Sequence, residues 1–178
     1  MIERATPKTV HLALFENEPF DVVGRLVPRF ENGVWSFTEQ LFDTPFQKAY
    51  EDDFSLSDYL DFLSRPRRAV LLFLDADGAC LGRARVRANW NKYAFLEEIA
   101  VRAFARKKCV GAALFQAVCA WAKEEGLCGV TLETQDVNLC ACRFYQKMGM
   151  ALGCADTCLY ANFPETKSEL ALFWYLRF

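Results

Sequence analysis

Apolar and polar positions change their spacing several times along this chain, and each change marks an element. Val22, Val23, Leu26 and Val27 make residues 20–29 a first strand that ends near Pro28, after an irregular entry reaching to about Asn17. Residues 35–50 are aromatic-rich, are interrupted by Pro45 and predict a loop with helical turns. Ser55-Leu56-Ser57-Asp58 has the form of a helix cap; Tyr59, Leu60, Phe62 and Leu63 then recur at helical spacing until Pro66 stops the run. Residues 69–74 read as a short buried strand and Asp75-Ala76-Asp77-Gly78 as a hairpin turn, because Asp-Gly tolerates positive φ. Residues 80–87 return as a strand on which Arg83, Arg85 and Arg87 alternate, which predicts one wet face.

After a turn at Asn89-Trp90-Asn91-Lys92, residues 93–101 form a central strand. Residues 110–125 predict a long helix with Val110, Ala113, Leu114, Ala117, Val118 and Trp121 on one face and Gly126 as its stop. A buried strand at 130–134 precedes a helix over 139–147, capped by Asn138 and ended by Gly149. Two more strands are expected near 155–161 and 170–178. The order predicts an α/β sheet of mixed direction with helices on both faces.

Composition narrows the classes. With 178 residues, 53% hydrophobic and 25% charged, the chain suits one folded domain rather than a disordered segment. A net charge of -2 argues against general nucleic-acid binding. No apolar run spans a bilayer and no targeting signal is visible, so no membrane partner and a cytoplasmic location are expected. Eight cysteines without paired CxxC hooks, beside the single histidine His11, read as reduced thiols, mostly in the core. No metal site is expected, and His11 reads as a surface residue. Charge is uneven: Glu39, Asp43, Glu51, Asp52, Asp53, Asp58 and Asp61 crowd one stretch, whereas Arg102, Arg106, Lys107 and Lys108 crowd another.

That basic run lies between a strand and a helix. Unpaired N–H groups at the helix start, with Arg106, Lys107 and Lys108, make a cradle for a phosphate-bearing cofactor, and Gly111 lets backbone approach it closely. The run Arg106-Lys107-Lys108-Cys109-Val110-Gly111-Ala112 resembles the acyl-CoA loop of the GNAT acetyltransferases. Asn138-Leu139-Cys140-Ala141-Cys142-Arg143-Phe144-Tyr145, continued by Gln146-Lys147-Met148-Gly149-Met150, resembles their later signature. Residues 89–101, 132–136, 156–163 and 173–178 are similar to the streptothricin N-acetyltransferase subfamily, as are 28–32 and 35–39. Two departures stand out: Cys109 replaces the first loop glycine and Met150 replaces a phenylalanine. If the loop needs positive φ at Cys109, strain of about 1–3 kcal/mol follows.

The resemblance implies a single domain over 1–178 with a mainly antiparallel sheet, 1–68 facing the acceptor and 69–178 binding acetyl-CoA. It implies acetyl-CoA as cosubstrate, no metal, and a cationic streptothricin-like amine as acceptor; a homodimer is left open. Cofactor contacts would come from the backbone of Ile99, Ala100 and Val101, from Arg106, Lys107, Lys108, Cys109, Val110, Gly111 and Ala112, and from Asn138. Tyr145, seven residues beyond Asn138 on the same helix face, is the expected general acid and also borders the cofactor. Glu133 is preferred as base over Glu97; alternation places Glu97 and Glu98 on opposite faces, so at most one serves a pocket. Glu98, Asp136, Asp52, Asp53, Trp90 and Tyr160 are the candidate acceptor contacts. Two rival classes stay open: a protein or peptide N-acetyltransferase, and a non-catalytic acyl-CoA-binding module.

Overall fold

A computed structural model describes residues 1–50 and 54–178. The chain divides into two compact units. The first comprises Met1–Glu18, Ala49–Val130 and Arg177–Phe178; the second comprises Pro19–Lys48 and Thr131–Leu176. The expected boundary at residue 68 falls inside the first unit.

In the first unit four strands lie in the hydrogen-bonded order β1 (Ile2–Arg4), β4 (Arg68–Leu74), β5 (Cys80–Ala88) and β6 (Ala94–Val101), each antiparallel to the next. The entry is thus less irregular than its sequence suggests, since Ile2–Arg4 pairs with β4 and a 3-10 turn follows at Val10–Ala13. Helix α1 (Leu56–Ser64) starts with a full capping box, Ser55 accepting from Asp58 N–H while Asp58 accepts from Ser55 N–H. It buries Tyr59 and Phe62 against Val10, Val70, Leu72 and Leu74. Helix α2 (Val110–Glu124) buries Val110, Leu114, Phe115, Val118, Trp121 and Ala122. A Cβ at Gly82 would stand 3.0 Å from Leu114 and Val110 side chains and 2.9 Å from the Ala100 carbonyl, so only glycine lets α2 sit this close to β5. Residues on the two parities of β5 therefore meet different layers, and helices cover both faces.

In the second unit, β2 (Phe20–Glu31) and β3 (Val34–Lys48) form a two-stranded ribbon. This corrects the loop expected over 35–50. Asn32 and Gly33 both adopt positive φ (51° and 80°), the geometry of a two-residue hairpin turn. Pro45 is tolerated because pairing jumps from Val22↔Phe46 to Gly24↔Leu41, leaving the proline inside a bulge. The sheet strands of this unit follow the order β7 (Gly129–Gln135, its first two residues in the first unit), β9 (Ala171–Arg177) and β8 (Ala151–Asp156). Strand β8 ends at Asp156, not Ala161; turns fill the next residues because Asp156 Oδ1 accepts the N–H groups of Cys158 and Leu159. Helix α3 (Leu139–Lys147) buries Leu139, Cys142 and Tyr145.

Two further expectations are corrected. Only Cys80 and Cys142 are buried; Cys109, Cys128, Cys140, Cys154 and Cys158 are exposed, and all eight thiols are free. The alternating arginines of β5 do not make a wet face. Arg83 is 2% exposed, because the Val10–Ala13 turn, the residues after it and α1 cover that side. Among the described residues no helix is long and apolar enough to cross a membrane.

Candidate active site

The cradle is built by the turn between β6 and α2. Residues Ala103–Ala105 form a 3-10 turn, after which Lys107 and Cys109 both adopt left-handed backbone (φ 59° and 65°). Cys109 is the N-cap of α2 and makes no side-chain cap. The first intrahelical bond runs from Ala113 N–H to the Cys109 carbonyl, at 2.9 Å. The N–H groups of Val110, Gly111 and Ala112 therefore point out of the helix start without intrahelical acceptors, where the helix dipole favours an anion. Lys107 and Lys108 are exposed beside them.

Arg106 differs from the two lysines. Its Nε donates to the Val101 carbonyl at 3.1 Å and an Nη donates to the Glu18 carbonyl at 2.8 Å. Glu18 Oε1 in turn accepts from Ala103 N–H at 2.9 Å. Arg106 thus tethers the loop to the end of β6, and Lys107 and Lys108 carry the exposed charge. Glu18 was invisible in the sequence pattern, since nothing local marks a carboxylate that binds a turn 85 residues away. On β6, Ile99 and Val101 pair across β5 with Ala84 and Gly82; both side chains are half-buried and Ala100 is buried.

The two carboxylates of β6 occupy one side, not two. The β5–β6 register passes from Arg85↔Glu98 to Val86↔Leu96, so Glu97 is an extra residue in a bulge. Glu98 meets Arg83 at 2.6 Å and accepts from the Tyr59 hydroxyl at 3.3 Å. Glu97 meets Arg85 at 2.8 Å and Arg87 at 2.6 Å. Arg83 also donates to the carbonyls of Ala13 and Phe15 and lies 4.3 Å over the Phe15 ring. Both carboxylates expected to serve catalysis or the acceptor are held by guanidinium groups. Trp90 is 90% exposed on the hairpin turn. Asp52 and Asp53 lie outside the described residues.

The second unit holds the remaining candidates. Asn138 caps α3, its Oδ1 accepting from Ala141 N–H at 3.1 Å. Tyr145 is 6% exposed, two turns along, with its ring edge-to-face with Phe144 at 5.2 Å. Glu133 on β7 is half-buried, and Tyr160 O–H donates to its Oε1. Burial pushes the Glu133 pKa above the ordinary glutamate value, and the Tyr160 hydrogen bond pulls it partly back.

Asp136, a candidate acceptor contact, is fully buried. Its Oδ1 accepts Leu170 N–H at 2.9 Å, its carbonyl accepts Leu26 N–H at 2.9 Å, and Arg25 Nε stands 3.2 Å from Oδ2. Burial raises its pKa, against the Leu170 N–H and the Arg25 charge. Asp136 thus joins the end of β7 to β2 and to the approach to β9. Among the described residues of the acidic stretch expected to attract a cation, Glu39 pairs with Arg143, Asp58 caps α1, and Asp61 pairs with Arg65.

The acetyltransferase (GNAT) family model matches residues 35–150. The chain is 49% identical, over 91% of both chains, to streptothricin acetyltransferase A of Bacillus subtilis (strain 168). It superposes with a TM-score of 0.90 at 28% identity, covering 100% of this chain and 99% of the other, on the crystal structure of a candidate streptothricin acetyltransferase from Bacillus anthracis str. Ames in complex with acetyl coenzyme A. A nourseothricin acetyltransferase shares the fold, with a TM-score of 0.81 at 24% identity over 99% and 97% of the two chains. An anion cradle between strand and helix, the Asn138–Tyr145 helix and a match spanning both units lead to one conclusion: the chain belongs to the acetyltransferase (GNAT) family.

Proposed function

We propose that this acetyltransferase moves the acetyl group of acetyl-CoA onto an amine of streptothricin, on its β-lysine arm, and so confers resistance to that antibiotic. The observation that carries the reading is the 49% identity to streptothricin acetyltransferase A, sustained over 91% of each chain. Its eight free thiols suit a reducing compartment, and the reading puts the enzyme in the cytoplasm.

The residues present fit acetyl-CoA. Three outward N–H groups at the start of α2, with Lys107 and Lys108, match a diphosphate in charge and in hydrogen bonding. Under this reading the backbone of Ile99–Val101 holds the pantetheine arm by strand-like hydrogen bonds. When bound, acetyl-CoA supplies an activated thioester. An ammonium group has no lone pair for attack, so the acceptor first has to lose a proton. Glu133 is the base proposed to take it: it is half-buried, its pKa is raised, and among the described residues no cation pairs with it. The Tyr145 phenol is proposed to give a proton to the departing thiolate, and the proton that the nitrogen sheds on becoming an amide restores the phenol. Glu97, between two guanidinium groups, is left to the fold.

A thiol-release assay with acetyl-CoA and streptothricin, an aminoglycoside or a basic peptide tests the reading. Release with streptothricin alone is expected. Release with the peptide alone makes the chain a protein N-acetyltransferase, and no release with any amine makes it an acyl-CoA-binding module.

A further inference from the structure

The hydroxyl expected to touch the acceptor is bonded instead to the proposed base. Tyr160 O–H donates to Glu133 Oε1. It arrives on the turn-rich segment 157–170, which is fastened at both ends. At the near end Asp156 Oδ1 accepts from Cys158 N–H at 2.6 Å and from Leu159 N–H at 3.2 Å, and the Tyr160 carbonyl accepts from Phe163 N–H at 3.0 Å. At the far end Leu170 N–H donates to Asp136 Oδ1, Ser168 carbonyl accepts from Arg25 at 3.1 Å, and Glu169 pairs with Lys48 at 2.7 Å. Lys48 also donates to Gln135 at 2.8 Å, two residues beyond Glu133. The same hub that ends β7 therefore anchors the segment that brings the phenol back to β7.

Little else in this unit competes for Glu133. From α3 the Cys142 thiol lies 3.6 Å from Thr134 Oγ1, and burial pushes that thiol up to about 12 and keeps it neutral. Asp136, three residues on, is answered by Arg25 and Leu170.

We propose that Tyr160 is a positioning residue for the base: by holding Oε1 of Glu133 it fixes the carboxylate and leaves Oε2 to receive the acceptor's proton. This rests on Glu133 being the base. A hydrogen bond to the ionised carboxylate opposes the desolvation around it, so its loss lets desolvation act alone and makes Glu133 harder to ionise.

The test is kcat against pH for the wild type, Tyr160→Phe and Glu133→Gln. In Tyr160→Phe the acidic limb moves up by about one pH unit, which lowers kcat ~10-fold on the acidic side, approaches wild type at high pH, and leaves KM for acetyl-CoA unchanged. A limb that stays in place in Tyr160→Phe but vanishes in Glu133→Gln overturns the role of Tyr160 and keeps the base. A wild-type limb in Glu133→Gln overturns the base itself. Should Tyr160→Phe not fold, the unaltered chain still decides: a downfield hydroxyl proton signal, lost as the acidic limb is crossed and missing in Glu133→Gln, is expected, and its absence overturns the bond.

Discussion

The carboxylates of β6 and β7 sit on strands that read alike in sequence and have opposite surroundings. On β6, Glu97 and Glu98 share three arginines, and Arg83 adds two backbone carbonyls and the Phe15 ring. On β7, Glu133 is half-buried and meets a neutral phenol. A carboxylate matched by guanidinium groups is held in place, which suits a structural member. One that is desolvated and only hydrogen-bonded holds a proton more readily than an ordinary glutamate, which suits a base. The contrast comes from what each neighbour can neutralise, not from the residue type.

Exchanging one carboxylate at a time breaks the contrast most directly. Glu133→Gln is expected to lower kcat by about 10²–10⁴-fold, in the range for a lost general base, with KM for acetyl-CoA unchanged. Glu97→Gln is expected to alter kcat little and to lower the unfolding midpoint instead. Steady-state kinetics beside urea melts checks both, and a larger kcat loss in Glu97→Gln reverses the assignment. The pH sign follows from burial. Because the Glu133 pKa is raised, its ionised form is lost as pH falls through a value above that of an exposed glutamate. The acidic limb of kcat therefore lies above that ordinary value, and it is absent in Glu133→Gln.

The arginine side is tested by Arg83→Ala. This change removes the guanidinium that neutralises Glu98 and donates to the Ala13 and Phe15 carbonyls, in a site where Arg83 was 2% exposed. Removing one partner of a buried pair costs about 3–5 kcal/mol. A urea titration should read that loss, and Arg83→Met combined with Glu98→Met should recover part of it. A loss near zero would mean that the β6 carboxylates are not held by pairing. Smaller again is Tyr145→Phe, expected to lower kcat ~10-fold or more with acetyl-CoA binding retained, measured by calorimetry beside turnover. Unchanged kcat removes Tyr145 from proton transfer.

The parts of this layout that sequence revealed are those set within one turn of backbone. The Ser55–Asp58 capping box and the Asn138 cap each depend on residues three apart, and each stands where its spacing placed it. The ribbon has a local signal too, since Asn32-Gly33 is a strong hairpin pair, and Pro45 does not contradict it, because a proline inside a bulge breaks no ladder. What stayed hidden depends on register between strands. Glu97 and Glu98 share a side only because β6 carries one residue more than β5, and no alternation rule foresees that. The burial of Arg83 depends on residues 13–15, some 70 positions earlier. Glu133 is a candidate only through the family resemblance; its bond to Tyr160 spans 27 positions and has no local signal.

The smallest expected effect separates strain from charge within the cradle. Lys107 and Cys109 are both left-handed, a conformation that costs an ordinary L-residue roughly 1–2 kcal/mol and glycine almost nothing. Cys109→Gly removes that cost and frees the unfolded chain, which opposes it, so net stabilisation of up to about 1 kcal/mol is expected. The Cys109 side chain makes no cap and is exposed, so nothing else is lost, and KM for acetyl-CoA should hold or fall. Lys107→Gly relieves the same strain but deletes a cation beside the outward N–H groups, so stability should rise while KM for acetyl-CoA also rises and loses part of its salt dependence. Thermal melts and KM at two ionic strengths separate the two variants. If both shift KM alike, the lysine contributes backbone shape rather than charge, and the cradle binds through its N–H groups alone.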